Sequence, residues 1–192
     1  MPQSLSAVYI HLIFSTKERY PYLKDEQVQR DLHAYLGEIS KRLDCPPIRV
    51  GGVEDHVHLL ARFGRTITQA EWIKELKRVS NGWLKTEAGL RHFQWQSGYA
   101  DFSVSASQLE SVKRYIENQK EHHRRMSYQD EVRKFLKKYS MEWDERYLGI
   151  ENKLKGHGWD ATALRLLLFT RVYPGLKQPW ALGRNRFAVI YA

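Results

Sequence analysis

Along the chain the spacing of apolar positions switches repeatedly between a period of two and a period near 3.6. In residues 7–16, AVYIHLIFST, the positions Val8, Ile10, Leu12 and Phe14 share a face opposite Tyr9, His11 and Ile13. That alternation predicts a half-buried strand. Residues 25–43 change to helical spacing, with Val28, Leu32, Tyr35, Leu36, Ile39 and Leu43 on one stripe, and Pro46 and Pro47 end the helix. Two short strands follow, 48–53 and 56–62, joined by a turn at Glu54 and Asp55. A capping-box signature, Thr68 to Glu71, opens a second helix to about Lys85 that turns Trp72, Ile73, Leu76, Val79, Ser80 and Trp83 toward a core.

Residues 95–104, WQSGYADFSV, read as a fourth strand bent at Gly98. A second capping-box signature, Ser105 to Gln108, predicts a third helix to about His122. Ser127 caps one more over 128–139, with Val132, Phe135, Leu136 and Tyr139 as a docking stripe. The order β-α-β-β-α-β predicts an α+β, ferredoxin-like sheet covered by helices, with extra C-terminal helices. Periodicity is lost after Leu148, so residues 1–149 are expected to form one domain. Residues 150–192 are then a C-terminal extension, a loosely structured or packed tail.

Composition changes this picture little. At 192 residues and 42% hydrophobic, the chain can bury a core, and its single cysteine, Cys45, excludes an intrachain disulfide and a thiolate metal site. The N-terminus shows no signal peptide and no apolar run is long enough to span a bilayer, so a cytoplasmic protein is expected. The net charge of +9 suggests a polyanionic partner, yet residues 151–192 alone hold 7 Lys+Arg against 2 Asp+Glu. Charge by itself therefore argues weakly for nucleic acid.

The chemistry concentrates in GGVEDHVHLL, residues 51–60. His56 and His58 are two apart on a strand, so both imidazoles project from one face while Val57 and Leu59 point the other way. Such a pair can hold a divalent ion, although a lone His-x-His on a strand is more often structural. The third helix supplies partners: Tyr115 and Gln119 lie four apart and share a face. A Gln carbonyl oxygen can complete a metal site, and a tyrosine one turn away can serve as a nucleophile beside a polarised phosphate. On their own, Tyr115 reads equally as a core position and Gln119 as an exposed helical residue. Asp55 either orients a histidine or only forms the turn. His122 and His123 read as a solvated helix end, with an accessory role near a phosphate open to His122.

Taken together, His56-Val57-His58, YIENQKEHH around Tyr115 and Gln119, FSTK, WQSGYADFSVS and WDERYLG resemble the single-tyrosine HUH transposases of small bacterial insertion sequences. This family includes repeat-associated tyrosine transposases, and the likeness covers nearly all of residues 5–149. The resemblance implies an HUH transposase domain over 1–149 that cleaves and rejoins single-stranded DNA with hairpin ends through a 5′-phosphotyrosine at Tyr115. It implies Mg²⁺ or Mn²⁺ held by His56, His58 and Gln119, and a homodimer in which one subunit's helix completes the other's site. Lys17, Arg19, Lys77, Arg78, Arg124 and Arg125 are the candidates for DNA contact, with Asp55 and His122 behind the metal and the nucleophile. Trp72, Trp83 and Trp95 are expected in the core, and Tyr99 and Phe102 as base-stacking positions. The alternatives are a domesticated relative that processes chromosomal repeats, or a non-catalytic nucleic-acid-binding module of the same strand order. Against the module, histidines occupy the third strand where RNA-recognition domains place aromatics.

Overall fold

The computed structural model describes residues 5–143, which all belong to the unit formed by residues 1–151. The expectations for 150–192 lie outside the described residues. Strands β1 (Tyr9–Ser15), β2 (Pro47–Val53), β3 (His56–Arg62) and β4 (Ala100–Val104) form one sheet in the order β2-β3-β1-β4. Every neighbouring pair is antiparallel. Helices α1 (Glu26–Arg42) and α2 (Gln69–Thr86) complete the predicted ferredoxin-like order. Among the described residues no helix is long and apolar enough to cross a membrane.

Capping explains why the first two helices start where they do. The Asp25 carboxylate accepts from the backbone N–H groups of Gln27 and Val28, and Thr68 and Glu71 form a full capping box. Both helices cover one face of the sheet, where Ile10, Leu12, Phe14, Val57, Leu59 and Ala61 meet Leu32, Leu36, Trp72, Ile73 and Leu76. As expected, Trp72 is buried, and Trp83 and Trp95 pack against the same core. Trp72 and Trp95 also place their indole N–H groups on Ser40 and Ser80.

The opposite face carries His11, Ile13, His56, His58 and Leu60, and the later helices α3 (Leu109–Glu117), α4 (Gln119–His123) and α5 (Tyr128–Lys138) cover it. β1 is therefore buried on both faces rather than one. Gly51, opposite His58 in the ladder, lets α3 approach: a Cβ there would stand 2.7 Å from Ile116 Cγ2 and 2.8 Å from the Ile116 carbonyl oxygen.

Three local expectations are corrected. The fourth strand is shorter than 95–104, because the Lys77 ammonium gathers the carbonyls of Gln96 at 2.9 Å and Gly98 at 2.7 Å into a loop. Only Trp95 keeps a bridge to Thr16 in that stretch. The Ser105 capping box does not form: the Ser105 hydroxyl pairs with Ser107 at 3.0 Å, and a 3-10 turn, Ala106–Gln108, precedes α3. The third helix is also not continuous to His122. Asn118 breaks it at φ −97°, ψ 18°, with its side-chain amide donating to the Arg114 carbonyl at 2.9 Å.

Candidate metal centre and active site

His56 and His58 are fully buried on the face of β3 that looks toward α3–α5. Each ring is oriented through Nδ1. In His56, Nδ1 lies 2.7 Å from Asp55 Oδ1, and Arg19 holds that carboxylate in turn. In His58, Nδ1 lies 3.0 Å from Nε2 of His11, a buried histidine on β1. Both Nε2 atoms then face inward, which is how a partner behind a ring sets up a metal ligand. Burial lowers both pKa values, that of His58 far below the ordinary histidine value, and the Asp55 carboxylate only partly offsets this for His56. Burial likewise brings His11 to about 4. Neutral imidazoles can offer lone pairs to a cation.

The α3–α5 segment brings the rest. Gln119, at the start of α4, is 1% exposed, and its amide nitrogen donates to Glu131 Oε1 at 3.1 Å. Tyr115 donates its hydroxyl to the same oxygen, and Nε2 of His122 lies 3.3 Å from the phenol. Burial first, and then the Glu131 charge, push the Tyr115 phenol well above its usual pKa. Burial favours the acid form of Glu131, but the imidazoles around it, His123 foremost, and the Tyr115 hydroxyl outweigh this and keep it ionised. Nε2 of His56, His58 and His123, Oε1 of Gln119 and Oε2 of Glu131 are buried, with no hydrogen-bond partner among the described residues. One ligand atom each from His56, His58, His123 and Glu131 falls within 4.8 Å of the others. Orphaned lone pairs of four side chains gathered in one buried space fit a cation there.

The sequence therefore names residues that the structure groups: His56, His58, Tyr115, Gln119, with Asp55 on His56 and His122 on the phenol. It misses His11, His123 and Glu131. His123 is not a solvated helix end: its side chain is 14% exposed and its Nδ1 donates to the Met126 carbonyl at 2.9 Å. Glu131 left one signal, a carboxylate beside Val132 within the apolar docking stripe of α5. Phe102 is not a stacking platform, being buried against Phe135 and Tyr139, whereas Tyr99 is exposed.

The basic candidates separate. Arg19 is engaged with Asp55 and lies over the Tyr128 ring, and the donors of Lys77 are taken by loop carbonyls. Arg78 pairs with Glu75 on α2, and Lys17 is exposed. Arg124 and Arg125 are exposed at the end of α4, both paired with Glu121. Arg19, Lys120 and Arg124 border a 480 Å³ cavity that reaches Asp55 and His123. Arg114, Arg125 and Lys134 border one of 680 Å³ that reaches Tyr115 and His122.

Residues 4–119 match the family described as "Transposase IS200 like", and the chain belongs to that family. Among curated proteins none matches. Of solved structures, a protein from Deinococcus radiodurans described as a transposase is 26% identical over 62% of this chain and 98% of that one, at a TM-score of 0.49. A REP-associated tyrosine transposase bound to a REP hairpin is 13% identical over 64% of this chain and 72% of that one, at a TM-score of 0.48.

Proposed function

We propose that this transposase cleaves and rejoins single-stranded DNA with hairpin ends, using Tyr115 as nucleophile and a divalent ion, Mg²⁺ or Mn²⁺, held by His56, His58 and Gln119. The observation that carries the reading is the meeting of the Tyr115 phenol with the orphaned lone pairs of those three residues in one buried cluster. When bound, the ion supplies charge that polarises a phosphate oxygen and stabilises the developing negative charge.

The chain's own groups do the rest. Asp55 and His11 fix the two histidine rings. The Tyr115 oxygen attacks phosphorus: the O–P bond to tyrosine forms, the bond from phosphorus to the 3′-oxygen breaks, and a 5′-phosphotyrosine results. His122 Nε2, 3.3 Å from the phenol, takes its proton once the hydroxyl turns from Glu131, and returns it to the departing 3′-oxygen. Attack by a 3′-hydroxyl on the phosphotyrosine reverses these steps and rejoins strands. The exposed Arg124 and Arg125, beside the two cavities, are placed to meet phosphates.

The test is a labelled single-stranded hairpin incubated with the protein and Mn²⁺ or Mg²⁺, then run on a denaturing gel. A covalent adduct should form and vanish in Tyr115→Phe, while DNA binding persists; an adduct that survives in that variant overturns the nucleophile. A homodimer that shares sites requires Tyr115 to reach the partner's histidines, whereas here Tyr115 stands beside His58 of its own chain. Mixing Tyr115→Phe with His56→Ala protein distinguishes the two: restored activity supports sites shared between subunits, and its absence favours sites closed within one chain.

A further inference from the structure

Two residues of the cluster, His123 and Glu131, lie beyond the family-matched residues 4–119. We propose that both are metal ligands, so that the α4–α5 hairpin closes a site of three imidazole nitrogens, one amide oxygen and one carboxylate oxygen. Such a site suits a first-row transition ion rather than Mg²⁺. The proposal rests on the assignment of His56, His58 and Gln119 above and adds to it.

The distances carry the argument. Glu131 Oε2 stands 3.4 Å from His123 Nε2 and 3.8 Å from His56 Nε2, and Glu131 Oε1 stands 3.7 Å from His58 Nε2. A buried ion pair would close to about 2.7–2.9 Å. Ligands bound to one ion at about 2.1 Å instead stand roughly 3–3.5 Å from one another. These three separations from Glu131 lie at or slightly beyond this second range, the whole cluster falls within 4.8 Å, and Oε2 and all three Nε2 atoms are left unbonded.

Proton placement points the same way. His123 Nδ1 faces a backbone carbonyl and His56 Nδ1 faces a carboxylate, and neither oxygen can donate, so both Nδ1 atoms carry hydrogen. In the neutral ring the lone pair is then on Nε2, directed at the lone pairs of Glu131 Oε2. Acceptors facing acceptors in a buried space repel unless a cation lies between them. The alternative, a proton on His123 Nε2 facing Glu131 Oε2 at 3.4 Å, would satisfy that pair alone and leave the Nε2 atoms of His56 and His58 buried and unbonded.

The donor set decides the ion. Mg²⁺ favours oxygen ligands and retains several waters, whereas imidazole favours later first-row ions. The chain offers three imidazoles here.

Co²⁺ is the probe, because it reads ligands by spectrum without any turnover. In proton NMR of the Co²⁺-loaded full-length protein, each histidine bound through Nε2 contributes one exchangeable, strongly shifted Nδ1–H signal. Three such signals are expected, falling to two in His123→Ala. Calorimetry should show at least a tenfold loss of Co²⁺ affinity in His123→Ala and in Glu131→Gln, and Mg²⁺ should displace Co²⁺ only at a hundredfold excess or more. Two signals in the unaltered protein, with both variants binding as tightly as it does, overturn the hairpin ligands while leaving His56 and His58 in place. Displacement by equimolar Mg²⁺ overturns the metal preference. Loss of all binding in His58→Ala, with unchanged binding in Glu131→Gln, likewise separates the two readings against this proposal. No Co²⁺ or Mn²⁺ binding to the unaltered protein overturns both.

Discussion

His11 Nε2 lies 3.0 Å from His58 Nδ1, so the first strand of the sheet decides which nitrogen of His58 faces the cluster. Removing that orienting partner should lower metal affinity without touching a ligand. His11→Leu is expected to weaken Mn²⁺ binding about 10- to 100-fold, the range typical of partners behind a ligand. Calorimetry checks it, and an unchanged affinity would show that packing alone orients the ring.

Gly51 is where α3 touches the sheet. Gly51→Ala drives a methyl against Ile116 and should cost about 1–3 kcal/mol in a urea melt, as overpacking does. Because Tyr115 precedes Ile116, adduct formation should slow more than Mn²⁺ affinity falls, since His56 and His58 sit on β3. Equal losses in both would place the damage in the whole fold rather than in the nucleophile.

Acid should destabilise the metal-free protein for a specific reason. Burial first, with Arg49 and Lys120 nearby, lowers His33 from 6.5 to about 4, and its Nε2 has no partner among the described residues. Between those values the unfolded chain binds a proton that the folded chain does not. Stability therefore rises with pH across this window and is lost as pH falls from 6.5 to 4. The contribution of His33 is at most about 3 kcal/mol. His11, His56 and His58 act in the same direction. A melting temperature measured across that window should drop toward acid, with a shallower slope in His33→Gln.

The Glu131 charge, after burial, raises the Tyr115 phenol. In metal-free Glu131→Gln the phenol should ionise at lower pH than in the parent protein. The ultraviolet tyrosinate absorbance, taken as a difference against Tyr115→Phe in each background, reads that shift. A phenol that titrates later, or not earlier, would remove Glu131 from its surroundings.

What could be read from the chain and what could not follow a physical division. The helix start at Thr68 is local, since its cap satisfies backbone groups within three residues, and it is legible in the sequence. The first helix is legible from its apolar spacing, whereas its Asp25 cap is not. The histidine pair was legible because strand geometry alone places both rings on one face. Tyr115 and Gln119 needed the resemblance, as their spacing has many ordinary explanations. Glu131 and His123 acquire meaning only when α5 docks over the sheet. A glutamate three residues past a helix start looks like a favourable dipole partner until its burial is known. The break at Asn118 was hidden for the opposite reason: a side chain bonding back to Arg114 competes locally with a helix that the periodicity favours. The loop at 96–98 depends on Lys77, a residue on another element, and no window of sequence around it shows that.

That break at Asn118 has a mechanical meaning. A single continuous helix would make the phenol and the amide parts of one rigid shaft, so that moving one would drag the other off its post. With the break between them, Tyr115 is held by α3 through the contact of Ile116 with the backbone at Gly51, and Gln119, His122 and His123 are held by α4. Under the reaction proposed here, the group that takes the strand and the groups that hold the ion therefore stand on separate footings.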